Sequence, residues 1–133
     1  MRTIRFRGID CCTGFWVYGF LHSQSETDGI GHCGQIHTTK DGKLQNVLVK
    51  GETIGEFTGV KDKNGQDVYE GDIVRYRLTD ERYKRNPRFK NLVIGYNTNS
   101  GCFEAGGIYW ERLFPPKLEV IGNIHQNPEL LEK

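Results

Sequence analysis

The chain has 133 residues, of which 36% are hydrophobic and 26% charged, a composition typical of one soluble globular domain. A chain of this length can bury enough apolar surface to fold without a metal or a disulfide. Its 18 basic and 17 acidic residues leave a net charge of +1, so no global charge directs it to nucleic acid or to an acidic membrane. We therefore predict a single domain over residues 1–133.

The N-terminus lacks the apolar run of a signal peptide, and no stretch is long enough to cross a bilayer. We expect a cytoplasmic protein with no membrane partner. Cysteines in that compartment are normally reduced, so we expect free thiols at Cys11, Cys12, Cys33 and Cys102. The 17 glycines against only 4 prolines favour many tight turns between short strands.

The first part of the chain reads as two strands and a loop. Residues 2–8 alternate, with Ile4 and Phe6 on one face and Arg5 and Arg7 on the other, which predicts a half-buried strand. A turn follows at residues 10–14 and a second strand at 15–20. Residues 21–35 are polar and glycine-rich, so we predict an exposed loop there.

The middle of the chain predicts hairpins. Residues 36–38 and 44–49 flank an Asp-Gly turn, and Asn64-Gly65 marks another turn before a short strand at 67–69. Glu70-Gly71-Asp72 predicts a sharp bend into a strand that runs to residue 78. The alternation places Val74 and Tyr76 on one face of that strand and Arg75 and Arg77 on the other.

The last part of the chain predicts a charged loop at about 79–91, a hairpin from residues 92–96 and 102–105, and a strand at 118–125. Asn127, Pro128 and Glu129 together predict the start of a short helix. Together these elements predict an all-β or β-dominated chain (α+β at most). We expect a small antiparallel β-barrel-like domain with hairpins and a short C-terminal helix.

Two polar clusters invite a catalytic or metal-binding interpretation. Glu70 and Asp72 could act as a carboxylate pair, but a bend around Gly71 explains both residues structurally, and we favour that reading. Asp62, Asn64 and Asp67 resemble a fragment of a calcium loop, yet the glycine is misplaced and the closing glutamate is absent. A hairpin turn accounts for the same residues.

A zinc or thiol site is the next alternative. Cys11-Cys12, His32-Cys33 and His37 are near one another in sequence, but their spacing matches no zinc motif. Cys102 sits in a predicted strand, where a free cysteine usually packs as a small hydrophobe. We predict no cofactor, no metal and no catalytic residue. An enzyme that uses Glu70, Asp72 or a Cys–His pair stays the least favoured reading.

Residues 75–90 form the one local charge signal, with seven basic residues against Asp80 and Glu81, which gives +5. Tyr76, Tyr83 and Phe89 are interleaved among them. Basic and aromatic residues together are what a phosphate backbone and unstacked bases require. A solvated loop whose aromatics belong to the core is the simpler explanation. The candidate nucleic-acid-binding residues are Arg75, Arg77, Arg82, Lys84, Arg85, Arg88 and Lys90.

Three stretches of the sequence resemble the YopX family. They are ETIGEFTGVKDKNG with VYEGDIV at residues 52–65 and 68–74, EVIGNIHQNPELL at 119–131, and the opening IRFR with Asp10. Ile9 stands where that family usually has tryptophan, and the Cys11-Cys12 pair and residues 23–34 do not match it. We interpret the residues of the central stretch as a structural signature: Thr58, Gly59, Asp62, Asn64, Gly65, Tyr69, Glu70, Gly71 and Asp72.

The resemblance implies a β-rich, barrel-like fold and a gene carried by a bacteriophage or prophage, so the protein would act in the bacterial host cytoplasm. It supplies no activity, cofactor or catalytic residue. Because the sequence contains no catalytic constellation, we expect a non-enzymatic binding or assembly module. Hairpin edges can pair between subunits, so this module could form a homo-oligomer. The alternative is a nucleic-acid-binding protein that uses residues 75–90.

Overall fold

A computed structural model describes residues 3–25, 33–77, 85, 88–109 and 117–131. These residues are mostly strand, so the prediction of an all-β chain is confirmed. The chain divides into two compact units, Met1–Phe57 and Thr58–Lys133. A single domain over the whole length stays a prediction.

The first unit is an antiparallel sheet. Its strands are β1 (Phe6–Ile9), β2 (Trp16–Ser25), β3 (Cys33–Lys40), β4 (Lys43–Lys50) and the start of β5 (Gly55–Lys61). They lie in the order β4-β3-β2-β1-β5, and a 3-10 turn at Gly51–Thr53 leads from β4 to β5. The predicted Asp41-Gly42 hairpin is present, because both residues adopt the positive φ angles, 53° and 76°, that a two-residue turn requires.

The sheet of the first unit is strongly curled. Asp10, just after β1, forms a bridge with Val49 at the far end of β4, and the Cys11 N–H donates to the Leu48 carbonyl over 3.0 Å. The inner face buries Ile36 and Val49 completely. Gly8 allows this closure, since a Cβ atom there would lie 2.8 Å from a methyl group of Val49.

The first strand departs from its predicted alternation. It begins at Phe6, and Ile4 is half exposed, whereas Arg7 is only 5% exposed. The Arg7 guanidinium lies 4.2 Å from the centre of the Trp16 ring, so a cation–π contact compensates part of the cost of burying the charge. The alternation pattern predicted Arg7 on the exposed face, and this prediction was wrong.

The second unit holds the rest of β5, which pairs with β6 (Asp67–Tyr69), and a five-stranded antiparallel sheet. The sheet has the order β10-β9-β8-β7-β11. Its strands are β7 (Asp72–Arg77), β8 (Phe89–Asn97), β9 (Cys102–Ala105), β10 (Ile108–Tyr109) and β11 (Glu119–Asn123). One face of it contributes to a core of Val68, Val74, Leu92, Ile94, Ala105 and Leu118.

Several predicted elements differ from the structure. The loop predicted at 21–35 is largely strand at its two ends, because β2 runs to Ser25 and β3 begins at Cys33; residues 26–32 lie outside the described chain. β8 begins at Phe89, inside the charged loop predicted at about 79–91; residues 78–84, 86 and 87 lie outside the described chain. The β9–β10 hairpin was not predicted; its turn uses Gly106-Gly107, with φ angles of 57° and 83°.

The barrel and the C-terminal helix also need correction. The described strands form two open sheets and no closed barrel. In place of the helix there is a single 3-10 turn, Pro128–Leu131. Asn127 does not cap it, since the Asn127 side-chain oxygen accepts the N–H of Asn123 over 3.2 Å instead. No helix in the described part of the chain is long and apolar enough to cross a membrane.

Candidate functional site

The carboxylate of Asp62 organises the β5–β6 turn and is only 5% exposed. Its Oδ1 atom accepts the N–H groups of Asn64 and Gln66 over 2.8 and 2.9 Å, and its Oδ2 atom accepts the N–H of Val120 over 3.0 Å. The calcium interpretation finds no support here, because these backbone donors occupy the oxygens that a cation would need. Within the described residues no three metal-ligating side chains come together.

The bend at Glu70-Gly71-Asp72 is held by backbone groups. Asp72 is buried, and its Oδ2 atom accepts the Tyr69 N–H over 2.7 Å. Gly71 has a φ of 87°; its N–H donates to the Ile94 carbonyl and its carbonyl accepts the Ile124 N–H, over 2.8 and 2.9 Å. This geometry favours a structural role for the pair over acid–base chemistry.

Thr58 and Gly59 complete the signature at the start of the same hairpin. The buried Thr58 hydroxyl donates to the Val68 carbonyl over 2.8 Å, and Gly59 has a φ of 89°. Gly65 has a φ of 82° at the turn, and Tyr69 is buried. The signature residues therefore build a hairpin and a bend.

The thiols and imidazoles are not gathered into a zinc site in the described structure. Cys11 and Cys12 are exposed thiols after β1, and Cys102 is a half-buried thiol 3.2 Å from the Ser100 hydroxyl. The Nε2 atom of His37 instead lies 2.8 Å from Nδ1 of His22. Sequence spacing missed this pair, because β2–β3 pairing brings His22 to His37. His32 lies outside the described residues.

The basic segment separates onto two faces of the β7–β8 pair. Arg77 stands opposite Phe89, and Arg75 stands opposite Asn91, so these four side chains share one face. Lys90 stands opposite Tyr76, which packs against the core, so Lys90 belongs to the other face. We call the surface formed by Arg75, Arg77 and Phe89 the arginine–phenylalanine surface.

The other basic candidates contribute less to this surface. Arg85 and Arg88 are exposed. Arg82 and Lys84, together with Tyr83, lie outside the described residues. The structure thus brings Arg75 and Arg77 together with one exposed ring, and it separates Lys90 from them.

The outer face of the first unit is a second candidate surface, one that the sequence did not reveal. Strand register places Tyr18, Phe20, Leu44 and Leu48 on this face, opposite the buried Ile36 and Val49, and all four are substantially exposed. His37, Thr39 and Asn46 lie between them on the same face. The buried Arg7 lies opposite Tyr18 on that face. Such a group of exposed apolar side chains is typical of a contact with another macromolecule.

The free edge of β4 borders this outer face. Because Lys40 and Lys43 flank the two-residue turn, the N–H and C=O groups of Leu44 and Asn46 point away from β3. Within the described residues no backbone partner takes up these groups. β4 has no proline, no bulge against β3, and charges only at its ends, so the usual protections of an edge strand are absent. We call these outward groups the β4 edge.

Comparison with known proteins identifies relatives across nearly the whole chain. A family model described as YopX protein matches residues 5–132. Among solved structures, the crystal structure of protein EF1440 from Enterococcus faecalis is similar, with 25% identity and a TM-score of 0.55. That match covers 99% of this chain and 100% of the other. No curated protein is significantly similar.

Proposed function

The chain belongs to the YopX protein family, and on that premise we propose that it is a non-enzymatic binding module that assembles with a second copy of itself. The observation that carries this proposal is the β4 edge, which presents unpaired strand groups beside the exposed Leu44. An extended strand is the partner that such an edge accepts. The buried, backbone-bonded carboxylates of Asp62 and Asp72 support the non-enzymatic part.

The edge is self-complementary. In an antiparallel pairing of two β4 strands centred on Gln45, Leu44 of each copy lies opposite Asn46 of the other, and their outward groups exchange hydrogen bonds. The pairing ends before Leu48, whose carbonyl already accepts the Cys11 N–H. Leu44 and Asn46 of both copies lie on the outer face, where no charged side chain opposes their approach.

The test is the mass of the protein in solution, measured by sedimentation velocity over a range of concentrations. We expect a reversible dimer, weakened at least about tenfold by Leu44→Lys, because each dimer would then hold two charges at its new strand pair. The matched control is Leu131→Lys, since Leu131 is also exposed (42%, against 67% for Leu44) but lies on the C-terminal 3-10 turn. A wild-type chain that stays monomeric at every concentration contradicts the proposal.

The second part of the proposal concerns the origin of the gene and the location of the protein in the cell. The resemblance of the sequence to the YopX family supports a gene carried by a bacteriophage or prophage and action in the bacterial cytoplasm. Cell fractionation after expression at native level tests the location, and we expect the protein in the soluble cytoplasmic fraction. Recovery in the envelope fraction would contradict it.

A further inference from the structure

We propose that the arginine–phenylalanine surface binds single-stranded nucleic acid, with Arg75 and Arg77 on phosphates and a base stacked on Phe89. The two arginines are both exposed and are two residues apart on β7, which separates their Cα atoms by about 6.7 Å. This spacing is comparable to that of successive phosphates along an extended strand. Two guanidiniums on one face can therefore follow one backbone.

The aromatic component is exposed and already oriented. Phe89 is 43% exposed, although it lies in a strand whose Leu92 and Ile94 are buried. The Arg75 guanidinium lies 3.9 Å from the centre of the Phe89 ring, which holds the arginine in place before a ligand arrives. A phenyl ring and a stacked guanidinium are both platforms for an unpaired base.

The positive charge of the surface is not neutralised by its neighbours. Glu119 stands opposite Arg75 on β11, but its carboxylate contacts the Lys63 Nζ atom, 3.4 Å away. Among the described residues, no carboxylate forms an ion pair with Arg75 or Arg77. The arginines, Lys63 and Glu119 sum to +2 locally, although the net charge of the whole chain is only +1. This local excess of positive charge favours binding of a polyanion.

The shape of the surface favours a single strand over a duplex. It is one face of an antiparallel sheet, and an exposed aromatic ring on such a face is a platform for unpaired bases. A protruding phenyl ring contributes stacking only when the bases are unpaired. On the side of Asn91 the surface is bordered by the C-terminal 3-10 turn, since the Asn91 side-chain amide donates to the Leu130 carbonyl over 2.8 Å.

The experiment is fluorescence anisotropy with a labelled oligonucleotide of about 20 thymidines, compared with a duplex of equal length, at several salt concentrations. We expect the single strand to bind more tightly than the duplex. Phe89→Leu should weaken binding by about 5- to 160-fold, the range typical for loss of one stacked base. Arg77→Gln should weaken binding and reduce the slope of log affinity against log salt by about 0.7.

The matched control is Lys90→Gln, because Lys90 is an exposed cation beside Phe89 on the opposite face. Its loss should change affinity much less than Arg77→Gln does. Circular dichroism of each variant checks that the fold is retained.

Any one of these results would overturn the proposal: no binding at low salt, equal affinity for the duplex, equal losses from Arg77→Gln and Lys90→Gln, or a Phe89→Leu variant that binds normally. An acidic peptide is the alternative ligand for this surface, and a poly-glutamate competitor of matched charge tests it. If it displaces the oligonucleotide as well as unlabelled oligonucleotide does, the surface recognises charge alone and the proposal fails.

Discussion

A single side chain can connect distant elements of the second unit, and Asp62 is the clearest example. Its three backbone hydrogen bonds join a hairpin turn to β11, which lies 58 residues further along the chain. The turn itself could be predicted, because Asn64-Gly65 encodes it locally. The bond to Val120 could not, since nothing in a local pattern indicates which distant strand will face the carboxylate.

We expect Asp62→Ala to lower the free energy of unfolding by about 3 kcal/mol, because it leaves three partly buried N–H groups without their carboxylate acceptor. Asp67→Ala is the control in the same hairpin: its ion pair with Lys61, 3.0 Å apart, is largely solvent-exposed on the lysine side and should contribute less than about 1 kcal/mol. Urea denaturation measures both. Equal losses would mean that the Asp62 bonds add nothing specific.

At the scale of elements, the strands were predictable where turn chemistry marks their ends and unpredictable where it does not. The Asp41-Gly42 turn marks the β3–β4 hairpin directly in the sequence. The end of β2 was hidden, because a bulge between Leu21 and Ser23 shifts the side-chain alternation by one residue. Pairing with β3 holds this polar segment in a strand although its composition indicates a loop.

Close approach of β2 to β3 gives a prediction at this scale. A Cβ atom at Gly19 would lie 1.9 Å from the His37 carbonyl oxygen, so Gly19→Ala must push the two strands apart. We expect a loss of about 3 kcal/mol in the free energy of unfolding. Gly95→Ala is the matched strand glycine with open space around its Cα, and it should change stability by less than about 1 kcal/mol. A tolerated alanine at Gly19 would contradict the packing described for the first unit.

For the whole molecule, composition and patterning were enough to predict a β-dominated chain, and the resemblance of its three stretches was enough to indicate the family. They could not predict the division into two units, the order of strands in each sheet, or the burial of Arg7. Those features depend on which strands pair over long distances, which local periodicity does not encode. The candidate surfaces follow the same rule: the sequence located Arg75 to Lys90 as a basic segment, and only strand register showed that Lys90 faces away.

The stacking of Arg7 on Trp16 has a spectroscopic consequence. Trp16 is one of only 2 tryptophans in the chain, and its half-buried indole lies under a guanidinium in the folded first unit. Unfolding of β1 and β2 transfers that indole to water, so its fluorescence emission should move to longer wavelength. In a Trp110→Phe variant the emission comes from Trp16 alone. The chain thus contains an intrinsic optical probe with which melting of the first unit can be followed without a label.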